Sequence, residues 1–108
     1  MAYSDEVITR NEVMNDGKTV HLYFNKMYQE YVAYGISAYI IAHTIPTQFP
    51  TYSDDMQMPM VAVDKNNISQ LKKNLEVVSF NEDEYYQLKS KKELDEDDYE
   101  RWANMVRG

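Results

Sequence analysis

The chain contains no cysteine among its 108 residues. That excludes a disulfide framework, a thiolate metal site and a cysteine nucleophile. The three glycines, Gly17, Gly35 and Gly108, are too scattered to build a phosphate-cradling loop. All three prolines, Pro46, Pro50 and Pro59, fall in one connecting stretch. The two histidines, His21 and His43, have neither HxH nor HExxH spacing, so no metal motif is present and no cofactor is expected. No run approaches the roughly 18 apolar residues of a membrane span. The first residues, MAYSDEVITR, lack the apolar core of a secretion signal. The expectation is a cytoplasmic protein with no membrane partner. Basic residues are scarce, 11 against 18 acidic, for a net charge of −7. Such a chain gains little from releasing phosphate counterions, which disfavours direct nucleic-acid binding.

What the sequence has in quantity is tyrosine, ten in all, with Tyr23, Tyr28, Tyr31, Tyr34 and Tyr39 within one short stretch. Thr19–Asn25 alternates Val20, Leu22 and Phe24 with polar or tyrosine positions, the pattern of a half-buried strand. Before it, Glu6 to Met14 alternates weakly, and Asn15-Asp16-Gly17 is a turn signal. A hairpin of the first two segments is therefore expected. Met27 to Tyr34 reads as a third strand, although Met27, Tyr31 and Tyr34 also stand at helical spacing. Ile36 to Ile45 is apolar almost all round, which predicts a buried helix.

After the proline-bearing connector, Gln57 to Val63 predicts a strand and Ile68, Leu71 and Leu75 mark a helix stripe. Glu76 to Phe80 predicts a short strand. Asn81 and Glu84, and then Asp95 and Asp98, have capping-box spacing, which predicts helices over 82–90 and 96–106, with Leu94 as a staple for the second. The fold class is α+β, a small mixed sheet in β-β-β-α-β-α-β order with two C-terminal helices. Residues 1–80 form the core domain, and 81–108 form an acidic two-helix extension packed on it.

The order and residues from Thr19 to Phe80 resemble the N-terminal mismatch-recognition domain of MutS-type mismatch-repair proteins. The resemblance rests on His21-Leu22-Tyr23-Phe24 followed by Asn25-Lys26-Met27-Tyr28-Gln29, and on Tyr34-Gly35-Ile36-Ser37-Ala38 entering a helix. It continues with Met58-Pro59-Met60-Val61-Ala62-Val63, Ile68 to Leu75, and Glu76-Val77-Val78-Ser79-Phe80. In that family a Phe wedges into the base stack and a Glu bonds a displaced base; the matched positions here are Met27 and Gln29. The resemblance thus implies the fold, with the working pair replaced.

For catalysis there is no G-x-S-x-G elbow and no base adjacent to Ser37 or Ser69. The expected function is a non-catalytic interaction module. It would bind a protein partner or itself through a tyrosine-rich face or an exposed sheet edge, with Met27, Tyr28, Gln29, Tyr31 and Tyr34 as the interaction residues. One alternative is a nucleic-acid-associated module derived from the mismatch-recognition fold. Another is an acidic inhibitor, a DNA mimic, presenting the run Glu93 to Glu100 to a DNA-binding protein.

Overall fold

A computed structural model of the chain describes residues 4–45, 49–81, 84–91 and 95–108. Helix α1 (Asp5–Val13) leads to strands β1 (Thr19–Asn25) and β2 (Glu30–Tyr34), then to helix α2 (Gly35–Thr44). Strands β3 (Thr51–Ser53) and β4 (Met58–Asp64) follow, with a 3-10 turn at Lys65–Asn67 and helix α3 (Ile68–Asn74). Strands β5 (Glu76–Asn81) and β6 (Tyr85–Lys89) precede helix α4 (Glu96–Arg107). The architecture is α+β. Its six strands run in the order β3-β4-β2-β1-β6-β5, and every neighbouring pair is antiparallel, so the sheet is antiparallel rather than mixed.

Besides the short strand β3, which forms inside the expected connector by pairing Thr51–Ser53 with Met58–Met60, three segments differ from the sequence expectation, each for a local reason. The first segment is a helix, not a strand. The Ser4 hydroxyl accepts the Val7 amide, Asp5 and Glu6 occupy the first turn, and Ile8 and Glu12 form the buried stripe. Two buried positions are too few to show a helical period. Asn15-Asp16-Gly17 is still a turn, with Gly17 at φ 82° and Asp16 Oδ1 accepting the Lys18 and Thr19 amides, but it joins α1 to β1. The hairpin therefore forms between β1 and β2.

Met27 to Tyr34 is strand only from Glu30 onward. Residues 26–29 are the hairpin turn: Asn25 Oδ1 accepts the Met27 amide, and Gln29 takes the left-handed φ of 53°. The third difference is at 82–90, where a strand, β6, replaces the expected helix. Asn81 and Glu84 do pair, Nδ2 to Oε2 at 2.6 Å, and the Glu84 amide bonds the Asn81 carbonyl at 3.0 Å. That closes the β5–β6 connection instead of capping a helix. Tyr86 and Leu88 then alternate with Tyr85 and Gln87 across the two faces. Helix α4 forms as expected, with Asp95 accepting the Asp97 amide. Leu94 lies outside the described residues.

The main core lies on one sheet face. Val20, Leu22, Tyr31, Ala33, Val61, Val63, Tyr86 and Leu88 pack against Ala38, Ile40, Ile41 and Ile45 of α2 and Ile68, Leu71 and Leu75 from α3 and its end. The other face holds Tyr23, Tyr34, Met58 and Tyr85 against Ile8 and Met56. Helix α2 is apolar all round because both its sides are covered. The sheet packs on one side, and α4 reaches the other through Tyr99 and Trp102, whose rings meet Tyr39 at 5.9 and 5.4 Å.

Candidate interaction surface

The tyrosines divide between the two sheet faces. Tyr31 belongs to a row that crosses four strands on the core face: Phe24–Tyr31 at 5.0 Å, Tyr31–Tyr86 at 5.2 Å and Tyr86–Phe80 at 5.3 Å between ring centroids. The middle of this row is sealed, and Tyr31 is 2% exposed. Its outer member, Phe80 on strand β5, stays 58% exposed with its ring stacked on Tyr86. Lysines cover the row: Lys65 Nζ stands 5.4 Å from the Phe24 ring, and Lys72 Nζ stands 5.8 Å from Phe80 and 5.2 Å from Tyr86.

On the opposite face Tyr34, Tyr23, Tyr85 and His21 form a second row, with successive centroids 6.5, 5.6 and 5.9 Å apart. Asn11 of α1 donates to the Tyr23 hydroxyl at 2.9 Å, and His21 Nδ1 shares a short hydrogen bond with the Tyr85 hydroxyl. Burial pushes the His21 imidazole below its usual pKa, against the pull of Asp16. Tyr34 is half-buried against α1, and burial raises its phenol.

Of the five residues named from sequence, the structure thus places three on the surface together. Met27, Tyr28 and Gln29 form the β1–β2 turn, with Met27 81% and Tyr28 67% exposed. Tyr31 is core and cannot meet a partner without unfolding, and Tyr34 serves the packing of α1. Phe80, Val78 and Lys72 carry no local sequence signal of a surface site. Strand register brings Phe80 into play: Asn81 pairs with Tyr85, which pairs with Tyr23, so the C-terminal half of β5 lies at the same end of the sheet as the β1–β2 turn. Lys26 and Lys65 flank that end.

Strand β5 closes one edge of the sheet, pairing only with β6, and a bulge between Val77 and Ser79 interrupts that pairing. All its residues but Val77 are exposed. An edge strand presents amide and carbonyl groups with no ladder partner. The other edge, β3, has three residues and touches α4, where Arg107 lies 5.8 Å from the Tyr52 ring.

A buried polar cluster lies elsewhere, at the start of α2. Glu12, 4% exposed, accepts the Ser37 amide on Oε1 at 3.0 Å and the Ser37 hydroxyl on Oε2 at 2.7 Å; Asn15 Nδ2 adds a contact of 3.3 Å. Ser37 Oγ in turn accepts the His21 amide at 2.9 Å, which replaces the ladder bond β1 loses where β2 turns into α2. Burial pushes the Glu12 carboxyl up to about 7, against the lowering effect of the Ser37 and Asn15 bonds. Ser37 is fully buried. Its hydroxyl is committed on both sides, so the pair braces α1 against α2.

No protein-family model, curated protein or solved structure matches the chain.

Proposed function

We propose that this protein is a non-catalytic interaction module that captures a partner at one end of its sheet, by the β1–β2 turn and the open β5 strand. The carrying observation is the pairing of an unprotected edge with exposed large apolar groups, Val78 and Phe80 on β5 and Met27 and Tyr28 on the turn. Isolated exposed apolar residues are ordinary, but gathered beside an open strand they mark a docking place. The partner's strand would take the unpaired backbone groups of β5, and Phe80 would be buried beneath it.

The test is affinity capture from the source cell together with sedimentation of the purified chain. Phe80→Asp and Tyr28→Asp, two surface changes, should abolish capture or self-association while the far-ultraviolet spectrum and melting curve stay unchanged. Retained capture with both variants would refute the proposal.

The mismatch-derived reading draws support from one observation, the exposure of Met27 at a turn tip, where a wedge would have to stand. The net charge of −7 opposes it. It requires binding to kinked or mismatched DNA at low salt that Met27→Ala removes.

A further inference from the structure

Resting on the reading above, we infer that the β5 edge takes an extended peptide segment carrying an acidic side chain, added as a seventh strand. Charge placement selects the occupant. Although the chain is acidic overall, its charges are segregated. Helix α4 opens with Asp95, Glu96, Asp97 and Asp98, and Asp95 and Asp98 act on Tyr39 of α2. Strand β5 forms the sheet edge opposite β3. With a Debye length of roughly 8–10 Å at physiological salt, an incoming strand at β5 responds most to the charges beside it.

Whereas the one carboxylate on β5, Glu76, stands at its far end opposite Lys89, the cations on the core-face side of the edge are Lys72 and Lys73, in the last turn of α3. Both are exposed, and among the described residues neither makes an ion pair. Lys72 stands over Phe80 and Tyr86, so its ammonium is held at the strand by two ring faces. The facing strand therefore meets an apolar ring and a fixed cation on one side. A segment that directs an aliphatic side chain onto Phe80 and a carboxylate to Lys72 satisfies both. The next residues in sequence, Glu82, Asp83 and Glu84, are acidic. The complementary segment is thus acidic opposite Lys72 and neutral or basic beyond Asn81.

A second copy of the chain does not fit as well. In a two-fold antiparallel β5 pairing, Glu76 would face Asn81, and the two Lys72–Lys73 flanks would lie on the same side of the joined sheet. Like charges then meet where the site asks for opposite ones.

The test uses the isotope-labelled full chain and short synthetic peptides that alternate valine with threonine around one central glutamate, glutamine or lysine. Heteronuclear NMR should show the glutamate peptide shifting the amides of Val77 to Asn81. The glutamine peptide should bind about tenfold more weakly at low salt and the lysine peptide more weakly still. Lys72→Glu, a surface change, should reverse the order and favour the lysine peptide. Equal binding of all three peptides at β5 would overturn the acidic assignment while leaving strand addition intact. No peptide binding, with cellular capture still dependent on Phe80, would overturn the inference and leave the broader proposal standing. Tighter binding of single-stranded oligothymidine through Phe80 and Lys72 would overturn it in favour of nucleic acid.

Discussion

Glu12 of α1 holds both the amide and the hydroxyl of Ser37 at the start of α2, at 3.0 and 2.7 Å. Through the same hydroxyl it reaches the β1 backbone at His21. Three elements thus meet on one buried carboxyl. Because burial raises that carboxyl from 4.5 to about 7, the folded chain binds its proton more tightly than the unfolded chain. The stability this gives is fully present below pH 4.5 and is lost as pH rises through about 7. The difference is about 3 kcal/mol. Urea unfolding between pH 5 and 8 should show stability falling across that window, with the fall removed in Glu12→Gln. A wild-type curve flat over that range, or one rising with pH, contradicts the assignment.

Gly35 enters α2 at φ 56°, where a Cβ would lie 3.2 Å from Met58 Sδ and 3.3 Å from Glu12 Cβ and Cγ. Gly35→Ala combines left-handed backbone strain with a close approach to the carboxyl's own side chain. It should cost about 1–3 kcal/mol in chemical denaturation. A neutral result would mean that the turn into α2 relaxes.

Tyrosines three positions apart should behave as opposites. Tyr31→Ala removes a sealed ring and should cost about 3–5 kcal/mol, as for other large buried aromatics. Tyr28→Ala changes an exposed turn and should stay within about 0.5 kcal/mol. Denaturant melts of the two variants check this directly.

Trp102 is the single tryptophan, and it meets Tyr39 at 5.4 Å and His43 at 6.1 Å. Its fluorescence therefore reports the docking of α4 on α2. Tyr39→Ala should shift the emission to longer wavelength and speed amide exchange across 96–107 while the sheet amides keep their protection. Loss of sheet protection as well would show that α4 belongs to the same cooperative unit.

The strand of Thr19–Asn25, the buried helix that follows it, and the strand–helix–strand run from Met58 to Asn81 were legible because each carries its own period or cap. Helix α1 was not, because Ile8 and Glu12 are its only buried points and one of them is charged. The 82–90 segment misled for a chemical reason: Asn81 and Glu84 bond each other in a strand connection as readily as in a capping box. Because β6 pairs with β1, β5 lies at the edge and Phe80 stays exposed. Non-local pairing decides which strand is outermost, and no local pattern records it. On the turn the sequence did better: Met27, Tyr28 and Gln29 stand together at the surface, whereas Tyr31 and Tyr34 serve the packing.

The most direct measurement of the central claim is amide hydrogen exchange of the chain, free and in complex with its captured partner. The account predicts new protection at Val77 to Asn81 and in the 26–29 turn, with α4 and β3 unchanged. Protection confined to α4 or to the β3 edge, with β5 exchanging as in the free chain, would contradict it.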